Sequence, residues 1–263
     1  MLTAITRAVS PGIARCELTY LQRQPIDYGR AVEQHRRYED CLADLGAHVI
    51  SLPAEPDLPD SMFVEDPAIV LDEIAVITRM KVESRRGEAA SLARALEPYR
   101  PLAWLREPGT LEGGDVLRMG RRLFAGVSPR TNATGIAQLA DVLRPFGYSV
   151  DAVPLRGCMH LKSGCSALGD RAILVNRRWI DAAAFDGFEL VDVAENEPHA
   201  ANVLRVGETV IMAACFPATC RLVASRGYRV RWLDISELQK AESGLTCSCL
   251  LFNSQPVSPP QLS

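Results

Sequence analysis

Short apolar runs alternate along the chain with segments in which apolar residues recur every three or four positions. Runs at residues 3–7, 47–52 and 228–233 predict strands, and the spaced pattern that starts near residue 27 and stops at Gly46 predicts an amphipathic helix. Further helices are predicted to begin near residues 88, 132, 179 and 218. A helix spacing of roughly 40 to 60 residues is typical of arrays of small repeated units. The pattern therefore predicts a single α/β domain built from about five strand-and-helix cycles.

Acidic residues interrupt two of the apolar runs. Glu65 and Asp66 lie within residues 63–71, which are predicted to form a strand. Glu112 is followed by two glycines, which would let a ligand or another backbone segment come close. Buried carboxylates are costly unless paired, and Pro67 cannot donate to the ladder of a central strand. We therefore expect a strand end facing a cleft, where these acids meet a cation, although each acid could equally cap a turn or pair with a structural arginine.

Composition narrows the class of protein. The chain has 263 residues, of which 48% are hydrophobic, so it can bury a sizeable core. A net charge of -3 and the lack of a basic cluster interleaved with aromatic residues argue against a nucleic-acid partner. No apolar run approaches the roughly 20 residues of a membrane span, and the N-terminus does not resemble a signal peptide, so a cytoplasmic location is expected. Residues 1–252 are expected to form the catalytic domain, and the polar, proline-rich residues 253–263 a disordered tail.

The eight cysteines are too dilute for a disulfide framework, so each is considered as a free thiol. Cys247 is the best candidate nucleophile because glycine and small polar residues surround it in residues 244–250. In a strand, Cys247 and Cys249 would share a face, so a thiol pair or a metal site with Cys158 and His160 must be considered. A structural zinc site is disfavoured, because the spacings do not match paired Cys-x-x-Cys knuckles.

Four histidines are present, which limits the search for an acid or base. His160 lies in a segment bounded by glycines, residues 157–164, of the kind that presents a side chain to a cleft. His35, His48 and His199 are interpreted as structural.

Several motifs, taken together and in this order, resemble dimethylarginine dimethylaminohydrolases. They are residues 63–67, 77–79, 83–88, 108–115, 130–132 and 160–162, and Thr246-Cys247. The resemblance spans nearly the whole chain and implies a five-bladed α/β propeller, in which strand-and-helix units repeat around a pseudo-fivefold axis. It implies a small-molecule substrate, a methylated arginine, with no metal and no cofactor. The assembly to be tested is a homodimer.

The resemblance also assigns roles to particular residues. Cys247 would attack the guanidinium carbon of the substrate, His160 would protonate the leaving amine and then activate water, and Glu112 would orient His160. A covalent thiouronium would form on the way to citrulline. A loop at residues 11–24 would act as a lid. The substrate-binding residues implied by the resemblance are Glu65 and Asp66 for the guanidinium, Arg85 and Arg130 for the α-carboxylate, and Asp60 with the carbonyl groups of Leu18 and Ala241 for the α-ammonium.

Three alternatives stay open on the sequence. An arginine deiminase shares this chemistry but typically has an aspartate two residues after its catalytic histidine, where this chain has Lys162. An amidinotransferase would transfer the amidino group to an amine instead of water. A catalytically inactive binding member is the non-enzyme alternative, and the intact set of Cys247, His160 and Glu112 argues against it.

Overall fold

The computed structural model describes residues 1–254, which form fifteen strands in five three-stranded sheets. The strands are β1 (Leu2–Arg7), β2 (His48–Leu52), β3 (Ala68–Val70), β4 (Ala75–Ile77), β5 (Leu102–Trp104), β6 (Val116–Met119), β7 (Arg122–Val127), β8 (Ser149–Pro154), β9 (Cys165–Ala167), β10 (Ala172–Val175), β11 (Glu189–Asp192), β12 (Leu204–Val206), β13 (Thr209–Ala213), β14 (Arg229–Leu233) and β15 (Leu250–Asn253). The helices are α1 (Tyr28–Asp44), α2 (Glu88–Leu96), α3 (Ala133–Leu143), α4 (Leu161–Gly164), α5 (Pro217–Ser225) and α6 (Ser236–Gln239).

One strand arrangement recurs in all five sheets. The first strand pairs antiparallel with the second, and the second pairs parallel with the third, as in β3, β4 and β5. In the sheet that joins the two chain ends, β15 is the first strand, β1 the second and β2 the third. A parallel neighbour requires a crossover, and α2 supplies it between β4 and β5. In the fourth unit the predicted helix near residue 179 is reduced to a 3₁₀ turn, Ala182–Phe185. The predicted five-bladed α/β propeller is confirmed, and the structure shows five repeats.

The first blade contains both ends of the described chain. The C-terminal strand β15 pairs antiparallel with β1, and Leu2 lies opposite Asn253. The boundary expected at 253 is therefore too early, because Asn253 belongs to β15 and the Ser254 N–H donates to the carbonyl of Met1 at 2.8 Å. The rest of the expected tail, residues 255–263, lies outside the described part of the chain. Within the described part, no helix is both long enough and apolar enough to span a bilayer.

The longer helices bury one face in apolar clusters that two neighbouring blades share. In α1 the residues Ala31, Tyr38 and Leu42 are buried in one cluster, and Asp27 caps the helix by accepting a hydrogen bond from the backbone N–H of Arg30.

Two strand predictions were wrong at their ends. Glu65 and Asp66 lie in turns before β3 and not inside a strand, and Cys247 lies in turns before β15. The expectation that Cys247 and Cys249 share a strand face therefore fails. Pro67, which lacks an N–H, separates the first pair from the ladder.

Candidate active site

Each blade contributes at least one polar residue to the site, from the segment that leads into its first strand. These residues precede that strand by two to five positions, and they are Glu65, Glu112, His160, Asn202 and Cys247. The backbone N–H of Glu65 donates to the carbonyl of Cys247 at 3.2 Å, which joins two of the turns directly. A cavity of about 400 Å³ is lined by Glu65, His160, Asn202 and Cys247 among others.

Cys247 lines this cavity. The backbone N–H of Gly244 donates to its Sγ at 3.4 Å. Burial raises the pKa of Cys247 to about 12, and the charges of Glu65 and Asp66 act in the same direction. The free protein therefore holds a neutral thiol near pH 7.

His160 is held by carboxylates on two sides. Its Nε2 is 2.8 Å from Oε2 of Glu112, and its Nδ1 is 3.9 Å from Oδ1 of Asp66. Burial alone would lower the pKa of His160, but Asp66, Asp115 and Glu112 outweigh it and raise the pKa to about 9. His160 is therefore an imidazolium at neutral pH, with Nδ1 left to serve a substrate.

The two glycines after Glu112 are required because neighbouring atoms lie too close to leave room for a Cβ. A Cβ on Gly113 would lie 2.0 Å from the carbonyl oxygen of Glu65, and one on Gly114 would lie 2.6 Å from Nδ1 of His160. The close backbone approach expected at these glycines is present, and it brings two blades together around the imidazole.

Glu65 and Asp66 already have cationic partners within the protein. Nζ of Lys162 is bonded to Oε1 of Glu65, and the Thr246 hydroxyl donates to Oε2 at 2.7 Å. Burial still raises the pKa of Glu65 above its ordinary value, although Lys162 opposes it. Asp66 accepts a hydrogen bond from Arg85 at 3.0 Å. Burial disfavours its ionised form, but His160 and Arg85 keep its pKa below the usual range. Asp66 therefore fits the alternative raised for these acids in the sequence, which is pairing with a structural arginine.

The two arginines predicted to hold a carboxylate differ in their surroundings. All three guanidinium nitrogens of Arg85 are bonded to carboxylates, two to Glu88 at 2.9 Å and one to Asp66. Arg130 donates from Nη2 to the Thr19 hydroxyl at 2.9 Å. Its Nη1 lies 3.6 Å from Oε1 of Glu112, and neither atom has a hydrogen-bond partner among the described residues. Arg130 is thus the arginine with unused donor capacity.

The residues expected at the amino-acid end lie beside the loop at residues 11–24. Asp60 is buried and accepts the backbone N–H of Glu17 through both oxygens, at 3.2 and 3.1 Å. Burial raises the pKa of Asp60, although Arg85 opposes this effect. Leu18 follows Glu17 in that loop, and the buried Ala241 comes shortly after α6. The roles of these residues in binding stay predictions.

Sequence reasoning missed part of the site. In the sequence, Lys162 marks only the place where a deiminase has an acid, and no sequence pattern indicates its bond to Glu65. Asn202 also had no signal, although its amide donates to Thr246 and accepts the Thr246 N–H, each at 3.1 Å. His199, interpreted as structural, lies edge-on to Trp179 at 4.8 Å between ring centroids, and both rings line the cavity.

One group among the described residues has the donor spacing of a metal site, namely Asp66, Glu112 and His160. Several of its atoms already have partners, because Oε2 of Glu112 bonds Nε2 of His160 while Asp66 accepts from Arg85 and from the Gly114 N–H at 3.1 Å. The donor set acts here as a proton-holding network.

Comparisons with known proteins agree with this geometry. A family model described as arginine deiminase matches residues 52–212. The chain is 36% identical to an N(G),N(G)-dimethylarginine dimethylaminohydrolase of Pseudomonas aeruginosa over 86% of this chain and 90% of that protein. It is 37% identical to one of Streptomyces coelicolor over 93% of this chain and 94% of that protein.

A solved structure of the Pseudomonas aeruginosa enzyme, a cysteine-to-serine variant in complex with citrulline, matches with a TM-score of 0.91 and 34% identity. The match covers 96% of this chain and 100% of that chain. Fold and site together define a hydrolase among the arginine deiminase-like α/β propellers. The chain belongs to the dimethylarginine dimethylaminohydrolase family. The family, the fold and the enzyme class predicted from the sequence are confirmed.

Proposed function

We propose that Cys247, His160 and Glu112 convert Nω-methylated arginine to citrulline and a methylamine in the cavity between the blades. The observation that supports these roles best is that the thiol and the imidazole line one cavity while Glu112 holds the imidazole from behind at 2.8 Å. The substrate guanidinium lies beside Glu65 and the thiol. Its α-carboxylate reaches Arg130, and its α-ammonium reaches Asp60 and the carbonyl groups of Leu18 and Ala241.

Substrate binding prepares the nucleophile. The pKa of the Cys247 thiol is raised partly by the charges of Glu65 and Asp66. A bound guanidinium offsets those charges and favours the thiolate, because an opposite charge nearby stabilises an ion. The thiol proton leaves to solvent, since His160 is already protonated. Ionisation therefore accompanies binding.

The first chemical step forms a C–S bond. The thiolate attacks the guanidinium carbon, and the tetrahedral adduct loses methylamine or dimethylamine as its C–N bond breaks. The imidazolium of His160 gives its proton to this leaving nitrogen. Glu112 stays ionised and holds the ring in place. A thiouronium on Cys247 and a neutral imidazole remain.

The second step regenerates the thiol. Neutral His160 takes a proton from water, and the oxygen attacks the thiouronium carbon. The C–S bond breaks with its electron pair returning to sulfur, the remaining O–H proton passes to the thiolate, and neutral citrulline leaves. His160 is again an imidazolium, so one residue serves as acid and then as base.

An arginine deiminase is the second candidate, because the matching family model carries that description. Lys162, however, stands where a deiminase has an acid, and its ammonium group occupies one oxygen of Glu65. Unmodified arginine presents N–H donors that methylation removes, and a buried donor left unpaired costs roughly 1 to 3 kcal/mol. We therefore expect arginine to be nearly inert.

The deciding measurement is kcat/KM for citrulline release from dimethylarginine, monomethylarginine and arginine. Methylated substrates should be preferred by roughly 10- to 100-fold or more, the range that one or two unpaired donors produce. Added primary amines should not divert the product, as they would in an amidinotransferase. A preference for arginine would instead assign this chain to the deiminase class.

A cytoplasmic location and a homodimer stay predictions. Sedimentation of the purified chain at several concentrations would test the second of these.

A further inference from the structure

One carboxylate fastens the loop at residues 11–24 to the body of the protein. Oε2 of Glu242 accepts the backbone N–H of Thr19 at 2.9 Å, and Oε1 accepts those of Tyr20 and Leu21 at 2.5 Å each. Three consecutive N–H groups thus converge on one side chain. Bonds from backbone N–H groups to a carboxylate are stronger than those between neutral partners.

The backbone of Glu242 is held in a conformation that favours glycine. Its φ is 57°, and it is the one non-glycine residue with positive φ in the described part of the chain. The residue ends α6, because the Glu242 N–H bonds the carbonyl of Gln239 and the Ser243 N–H bonds that of Leu238. This is the Schellman pattern, in which glycine is usual at the left-handed position. A side chain that persists in such a place points to a function for that side chain.

The position of Glu242 in the chain connects it to substrate binding. It directly follows Ala241, and Thr19 directly follows Leu18. Those two residues supply the carbonyl groups assigned above to the α-ammonium group. A carboxylate bonded to Thr19 therefore fixes one carbonyl-bearing residue relative to the other.

Other contacts also hold the same loop. Arg130 donates to the Thr19 hydroxyl, the Tyr20 hydroxyl donates to the carbonyl of Cys158 at 3.2 Å, and the Glu17 N–H donates to Asp60. The side chains of Tyr20 and Leu21 are themselves 52% and 45% exposed. Because little apolar burial secures this stretch, its hydrogen bonds decide whether it stays closed.

We propose that Glu242 is a positioning residue, which latches the loop over the amino-acid end of the substrate and sets the two carbonyl groups that receive the α-ammonium. Only the second part of this proposal, the positioning of the two carbonyl groups, rests on the proposed function. The latch itself is a property of the protein without substrate.

The latch is tested by amide hydrogen exchange of residues 19–21 in the full chain without ligand. Glu242→Gly removes the carboxylate but relieves the left-handed backbone, so the variant should fold with an unchanged or higher Tm. Exchange at these three amides should nevertheless rise roughly tenfold or more. Glu242→Gln keeps one acceptor oxygen, so its exchange rates at residues 19–21 should lie between those of the wild type and those of Glu242→Gly.

The matched control is Glu197→Gln. Glu197 also holds consecutive backbone N–H groups, those of Ala218 at 2.9 Å and Thr219 at 2.7 Å, but at the start of α5. This variant should lose stability while exchange at residues 19–21 stays as in the wild type. A general loss of stability is thereby separated from loss of the latch.

The positioning role is tested by kinetics with monomethylarginine. Glu242→Gly should raise KM roughly tenfold while kcat stays within about threefold, because the amino-acid end is remote from the reacting carbon. Unchanged exchange in Glu242→Gly overturns the latch. Raised exchange with an unchanged KM overturns the positioning role. If the wild type hydrolyses no methylated arginine, the proposed function fails, and the exchange experiment still decides the latch.

Discussion

The two thiols near the C-terminus differ in their surroundings and not in their acidity. Burial raises the pKa of both Cys247 and Cys249 to about 12. Cys247 lines the cavity, whereas Cys249 is buried in a hydrophobic cluster that contains Tyr38. Access to a substrate is therefore the property that favours Cys247 as the nucleophile, and a bound cation next to Glu65 would lower the pKa of the cavity thiol by opposing the charge of Glu65.

Serine substitutions separate these two cysteines. Cys247→Ser should lose turnover by about three orders of magnitude or more and still bind substrate, because a hydroxyl is far less ionised than a thiol near neutral pH. Cys249→Ser, the matched control, should keep most of its activity. Citrulline release together with binding of monomethylarginine by calorimetry measures both. An active Cys247→Ser protein would show that the nucleophile is another residue.

Alanine substitutions of the two arginines should affect different properties, namely substrate binding for Arg130 and stability for Arg85. Arg130→Ala removes unused donor capacity, so KM should rise by the equivalent of roughly 1.5 to 3 kcal/mol with a smaller change in stability. Arg85→Ala leaves the buried carboxylates of Asp66 and Glu88 without their cation, so unfolding free energy should fall by roughly 3 to 5 kcal/mol. Urea unfolding and kinetics on both variants check this. Equal stability losses would show that Arg85 and Arg130 are both structural.

At the scale of elements, the candidate site residues lie in segments before the strands, and hydrophobic patterning cannot predict where those segments end and the strands begin. Periodicity predicted α1, the start of α2 and the start of α3, because each buries an apolar stripe and the first and third have capping side chains, Asp27 and Asn132. It extended the strand before Leu71 back through Glu65, because the turn residues there are also apolar. The cleft, the acids and the glycine pair were predictable from their residue types. The bonds of Lys162 and Asn202 were not, because they join positions far apart in the sequence.

Gly114 tests whether the turn after Glu112 sets the imidazole. In Gly114→Ala a Cβ would lie 2.6 Å from Nδ1 of His160 and 2.8 Å from Oδ1 of Asp66, so the ring or the turn must shift. Turnover should fall by roughly 100-fold, the effect of misplacing a catalytic group by about 1 Å.

The control for Gly114 lies in the same blade. Gly120 has a φ of 65° and open space around it, so Gly120→Ala should lower unfolding free energy by about 1 kcal/mol and leave kcat unchanged. If kcat is near the wild-type value in both variants, the site tolerates the methyl group added at Gly114.

At the scale of the whole molecule, the repeat explains why residues far apart in sequence form one site. Every blade begins with a strand whose preceding turn lies next to those of the other blades. Five equivalent positions thereby supply an acid, an acid, an imidazole, an amide and a thiol, namely Glu65, Glu112, His160, Asn202 and Cys247. The pairing of β15 with β1 places Cys247 next to Glu65. The proposed nucleophile, which comes late in the chain, is thus positioned by the closure of the ring.

The same convergence of charges makes the stability of the molecule depend on pH. The pKa of His160 in the folded protein is about 9, above the ordinary value of 6.5, because buried carboxylates surround it. A raised pKa means that the folded state binds the proton more tightly than the unfolded chain does. This stabilisation is complete below about pH 6.5 and is lost as the pH rises through about 9, and it amounts to roughly 3 kcal/mol.

Urea unfolding at pH 6 and at pH 9.5 measures this contribution. The wild type should lose more unfolding free energy between the two pH values than His160→Asn does, by roughly 3 kcal/mol at most, since neighbouring acids share the titration. The exposed His48 provides the control, and His48→Asn should follow the wild type. kcat/KM should fall over the same upper range, because His160 must hold a proton before the amine can leave. An identical pH dependence in wild type and His160→Asn would show that the imidazole is neutral in the folded protein and cannot act as the acid of the first step.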